Sequence, residues 1–187
     1  MPSSQRRRVL RLGLGGAAAT AGLAATGCGP AQAVDRALRW TSLSEAQAEV
    51  LHLARAPQRV SSARWDWAGT LVHCAQSIEY SMAGYPQPRS ALFRRTVGPA
   101  ALAVFAWRGR MAHDLAEPIP GAPALPVQGD AGAALARLEA AIAAFGRWAG
   151  PLQPHFAYGT LTRAQYEAAH AMHLAEHLSE FDAQALA

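Results

Sequence analysis

The run from Thr162 to Phe181 carries three of the chain's seven histidines, His170, His173 and His177. On a helix, residues three, four and seven apart share a face, so these imidazoles stack along one stripe. Tyr166 extends the stripe on one side and Phe181 on the other, with Leu174 and Leu178 alongside; apolar neighbours of this kind turn it toward a core. His173 and His177 stand one turn apart, the spacing at which one helix offers two ligands to one metal ion. A third ligand must come from another helix, and His73, on a stripe with Ser77 and Tyr80, is the best placed. Three protein ligands leave a coordination position open for water or substrate, as a catalytic site requires and a closed structural site does not. An all-nitrogen set suits a divalent ion, Zn, Ni or Fe. A helical histidine pair alone more often packs than ligates; the third inward imidazole tips the reading toward metal.

The neighbouring groups have less defined roles. His170 can replace a ligand, hydrogen-bond to one, act as a base near metal-bound water, or simply pack. Glu176 lies beside the stripe rather than on it, which reads first as a solvated acid and second as a partner orienting a ligand. His155 sits in the loop before the last helix and His113 at the start of a proline-rich segment; either can reach the mouth of a pocket. Cys74 follows His73 directly and is turned about 100° away around the helix, so it reads as a buried hydrophobe. Trp40, Trp65, Trp67, Trp107 and Trp148 are scattered along the chain and read as core or rim packing.

The elements that must position these residues are helical. Ser42 with Glu45 predicts a capping box and a first helix to about Arg55. Asp66 opens a second through His73 to Met82, stopped by Gly84 and the prolines after it. Ser90 to Arg110 is a third, which Pro99 should kink or split. Pro118, Pro120, Pro123 and Pro126 make Met111 to Gly129 an extended surface crossover. Asp130 caps a helix over Ala131 to Trp148, and Thr162 with Gln165 boxes the start of the histidine helix. No segment alternates with a period of two, so no strand is predicted. The expectation is an all-α fold, a four-helix bundle with a long proline-rich crossover, an architecture that builds metal sites from inward side chains on facing helices.

All 17 basic residues of the 187 are arginine, and the formal charge is +4. Arg6, Arg7, Arg8 and Arg11 account for the excess, because residues 1–33 hold no acid and the remainder is neutral. A neutral domain argues against nucleic-acid binding. Residues 1–33 read as an export leader, with a basic start and a modest apolar stretch from Leu12 to Thr26, leaving residues 34–187 as the domain. The pattern from Gln5 to Arg11 resembles a twin-arginine signal, with Val9 in place of the usual phenylalanine. Two processing sites compete. Ala31-Gln32-Ala33 has the small-x-small form, whereas Ala25-Thr26-Gly27-Cys28 resembles a lipoprotein box that would make Cys28 the lipidated residue. Either way the chain is expected outside the cytoplasm, periplasmic or anchored to the envelope, touching membrane only through such an anchor. Cys74 alone cannot form an internal disulfide. A homodimer stays open as a partner.

From about Trp40 to Phe181 the chain resembles the DinB-like superfamily of four-helix bundles, and within it a bacterial branch known only as a domain of unknown function. The resemblance is carried by Leu71-Val72-His73-Cys74-Ala75-Gln76-Ser77-Ile78-Glu79-Tyr80-Ser81, and by His155-Phe156-Ala157-Tyr158-Gly159-Thr160-Leu161 leading to His173-Leu174-Ala175-Glu176-His177-Leu178 and Phe181. In that superfamily a second-helix histidine and a His-x-x-x-His pair on the last helix bind a divalent metal, which implies His73, His173 and His177 here. Two departures stand out: Glu176 replaces a histidine before His177, and Glu180 replaces a glutamine before the final phenylalanine. The resemblance implies a metal-dependent transferase or hydrolase acting on a small molecule. Relatives that use small thiols fit an exported chain poorly. A non-catalytic exported bundle that holds a metal or small ligand is the alternative, since a fold does not name a reaction.

Overall fold

The computed structural model describes residues 34–184. The leader expected over residues 1–33, with Cys28, lies outside the described residues. Helix α1 covers Leu43–Arg55, α2 Trp67–Ala83, α3 Ala91–Arg95, α4 Val97–Arg108, α5 Ala131–Arg147 and α6 Arg163–Leu178; strands β1 and β2 cover Gln58–Ser61 and Phe181–Gln184. The helix starts follow their local chemistry. Ser42 with Glu45 and Thr162 with Gln165 form reciprocal capping boxes, while the Asp66 and Asp130 side chains accept from first-turn amides of α2 and α5. Arg163, at the start of α6, donates to the carbonyls of Phe145, Gly146 and Trp148 and so closes the end of α5.

Each long helix packs on two others: α2 on α5 and α6, and α1 on α6 and α5. Val50, Leu53, Leu71, Ile78, Leu138, Phe145, Tyr166, Leu174 and Leu178 fill the space between them. Helices α2 and α6 are buried on nearly every face, because α4 and the crossover cover what α1 and α5 leave open. That enclosure turns all three α6 histidines away from bulk water rather than along one narrow seam.

Three expectations are corrected. The chain is not purely α: β1 and β2 pair antiparallel, Gln58 opposite Gln184 and Ser61 opposite Phe181. Phe181 therefore belongs to a strand instead of the last turn of α6, and its ring packs edge-on against Trp67 at 5.2 Å. The split expected of the third helical stretch is met, with α3 and α4 separated at Thr96, three residues ahead of Pro99. Proline cannot donate to the carbonyl four residues back and its ring crowds that carbonyl, here Arg95, so the break precedes the proline. Of the five tryptophans, Trp107 is the exception to core or rim packing and stands out on α4, while Trp148 is partly exposed at the rim.

From Arg110 to Asp130 the crossover has no regular structure, as its prolines dictate, but it is tied down. Met111 and Ile119 are buried, and the Gln76 amide donates to the Pro123 carbonyl. Two glycines let α3 and α4 press against the 155–159 turn. A Cβ on Gly98 would lie 1.9 Å from the Ala157 carbonyl oxygen, and one on Gly159, already at φ +76°, would lie 2.7 Å from that of Arg94.

Candidate metal centre

His73 projects from the middle of α2, and His173 and His177 from the last two turns of α6, onto one point between the helices. His113, four residues past the αL-capped end of α4, reaches the same point from the crossover. One ring nitrogen from each of the four histidines lies within 4.8 Å of every other. His73 Nε2 and His173 Nε2 are 3.2 Å apart. Two nitrogens bound to one tetrahedral ion at 2.0–2.1 Å would sit about 3.3 Å apart, so this pair already has the spacing of a shared ion.

The protonation states agree. Burial pushes His73 down to about 3, with the neighbouring His113 ring adding to the effect. His173 and His177 are held well below the ordinary value of 6.5, first by burial and then by the other imidazoles. At neutral pH these rings are uncharged, the form a metal accepts. His177 Nε2 is buried without a hydrogen-bond partner, and an orphaned nitrogen of this kind is costly unless something else meets it. Trp65 covers the cluster, its ring 4.6 Å from His73 and stacked 5.6 Å from His177. Four histidines therefore lie close enough to hold one metal ion, and the nitrogen-only donor set fits Zn, Ni or Fe better than Mg or Ca.

His113 is the member that sequence reasoning did not place. It lies in a segment without periodicity, and its position is set from a distance. Arg110, three residues earlier, is paired with Glu176 of α6 at 3.2 Å and with Asp35 at 3.3 Å. Glu176 is thus corrected from a solvated acid to a buried ion-pair partner, which it becomes because α6 is covered on the face where the sequence pattern left it outside. It contacts none of the four rings by hydrogen bond and instead anchors the start of the segment that carries His113.

His170 and His155 lie outside the cluster. His170 packs between Phe145, edge-on at 5.3 Å, and Tyr166, stacked at 5.3 Å, and its Nε2 is buried without a partner. His155 Nδ1 accepts from the amides of Ala157 and Tyr158, which fixes its tautomer with the proton on Nε2. Its ring stacks on Tyr158 at 4.3 Å. Both are buried and pushed down to about 3. Cys74 is a free, buried thiol whose acidity burial suppresses, as expected of a packed residue.

A cavity of about 270 Å³ opens directly beside the cluster. His73, His113 and His173 form one end of it, His155 and His170 stand along its wall, and Phe93, Phe105 and Phe156 make much of it apolar. Arg89 and Glu117, 3.4 Å apart, are the charged residues of its lining.

The chain belongs to the family described as "Protein of unknown function (DUF1569)", whose pattern matches residues 32–184. No curated protein and no solved structure shows significant similarity to it.

Proposed function

We propose that this chain is a metal-dependent protein that holds one divalent ion between α2 and α6 through His73, His173 and His177, with His113 as a further donor from the crossover. One observation carries the reading: three of the four clustered histidines also line the cavity. An ion there would face a compartment able to admit a small molecule, and would act as a Lewis acid or lower the pKa of bound water. The chain's own residues would bind an apolar body against Phe93, Phe105 and Phe156 and exclude water around it. His170 and His155 stand ready as hydrogen-bonding groups on the wall. The reaction class is transfer or hydrolysis. We place the family with the DinB-like bundles on the strength of His73 and the His173/His177 pair on packed helices.

A second reading, a non-catalytic metal or ligand binder, is favoured by His113 itself, since four nitrogens close a tetrahedral ion and leave no open position. Export of the chain, resting on the Arg6–Arg8 pattern, is part of both. No helix among the described residues is long and apolar enough to cross a membrane.

The test is elemental analysis of the purified full chain grown with Zn, Ni, Fe and Mn available. About one ion per chain is expected, and His73→Ala should abolish it. Absence of stoichiometric metal, or undiminished occupancy in His73→Ala, refutes the site. Where metal is present, His113→Ala separates the readings: retained metal fits an exchangeable donor at a reactive site, whereas loss fits a closed binding site.

A further inference from the structure

Helix α4 is the most apolar of the longer helices among the described residues, yet only Gly98 and Leu102 of it are buried. Its inner face meets the cavity and the 155–159 turn. The outer face carries Val97, Ala100, Val104 and Trp107, which helical spacing places together. On the neighbouring α3, Leu92 is 73% exposed, and Trp107 is 86% exposed. Four of the six large exposed hydrophobics among the described residues are on these two short helices. A cluster of this kind marks an interaction surface more often than an accident of folding.

The charge around it is one-sided. Between Glu79 and Asp114 there is no acidic residue, and the segment holds Arg89, Arg94, Arg95, Arg108 and Arg110. Arg89 and Arg110 are engaged with Glu117, Asp35 and Glu176. Arg94, Arg95 and Arg108 make no ion pair among the described residues, and Arg95 and Arg108 are exposed at the two ends of the patch. A second copy of this face would bring the same arginines against them. The chain's own residues 1–33 would also add arginine and no acid. Charge complementarity selects a partner that is apolar beneath and anionic above.

From this we infer that the outer face of α3 and α4 docks on an anionic lipid surface, with Leu92, Val97, Val104 and Trp107 entering the interfacial layer and Arg95 and Arg108 meeting the headgroups. The inference is independent of the metal site.

The experiment uses the full chain with vesicles of phosphatidylcholine, with and without phosphatidylglycerol. The chain should partition to the anionic vesicles. Leu92→Ser/Trp107→Ser and Arg95→Glu/Arg108→Glu should each weaken partitioning by about tenfold or more, while thermal unfolding without lipid stays unchanged because all four side chains are exposed. Lipids brominated near the headgroup should quench an emission component that is missing in Trp107→Phe. Every form carries residues 1–33, so these differences report the helical face and not the leader. Undiminished binding by both double variants, or no quenching assignable to Trp107, overturns the inference. So does a lipid-free dimer that Leu92→Ser/Trp107→Ser dissolves without altering vesicle binding, which would make the occupant a second copy.

Discussion

At the scale of single residues, the unusual property is the number of uncharged buried histidines. His155 and His170 are both buried, and both are pushed from 6.5 down to about 3 by that burial. As pH falls through 6.5 the unfolded chain takes up protons on these rings, and the folded chain does not until about pH 3. Folding is therefore favoured fully above about pH 6.5 and progressively less from there toward pH 3, by up to about 1.4 kcal/mol per pH unit for each ring. His170 isolates the effect, because its ring is held by Phe145 and Tyr166 and its Nε2 has no partner to lose. His170→Phe should match the wild type within about 1 kcal/mol at pH 7. It should lose roughly 1–2 kcal/mol less between pH 7 and pH 5 when urea unfolding of the metal-free chains is compared. Parallel pH profiles for the two proteins would show that His170 does not stay neutral in the folded state.

At the scale of elements, the close approach of α4 to the 155–159 turn shapes the cavity wall. Gly98→Ala would drive a methyl to 1.9 Å from the Ala157 carbonyl, a backbone atom that cannot swing aside. A loss of about 2 kcal/mol or more is expected, at the upper end of overpacking costs. Gly146→Ala, with open space around it near the end of α5, should be neutral or stabilising by roughly half a kcal/mol. Equal effects of the two substitutions in chemical denaturation would show that α4 is free to shift. The elements legible in the sequence were those written locally: the caps at Ser42, Asp66, Asp130 and Thr162, and the interruption that Pro99 imposes. Strands β1 and β2 were not legible, since four residues are too few to show alternation and their pairing joins opposite ends of the domain. For the same reason His73, His173 and His177 could be read from helical spacing, whereas His113 could not. Its place depends on Met111 and Ile119 being buried and on Arg110 meeting Glu176, contacts no local pattern encodes.

At the scale of the whole molecule, the four histidines tie together α2, α6 and the crossover, three pieces far apart in the chain. An ion bound by all of them binds the folded state and not the unfolded one, so it stabilises by mass action, about 2.7 kcal/mol at a free concentration one hundred times its Kd. The crossover should respond most, because it has no ladder of backbone hydrogen bonds and is held by Arg110, Met111, Ile119 and Pro123. Adding Zn or Ni to chelator-treated protein should raise the unfolding midpoint in a concentration-dependent way and slow amide exchange over residues 109–129 more than in α1 or α5. His113→Ala should keep part of the rise in midpoint, because His73, His173 and His177 remain on their helices, but should lose the protection of the crossover. A midpoint that ignores metal would mean that the cluster is a packed set of neutral imidazoles. A midpoint that rises equally in His113→Ala, with crossover exchange unchanged, would confine the ion to α2 and α6 and leave His113 as a cavity wall.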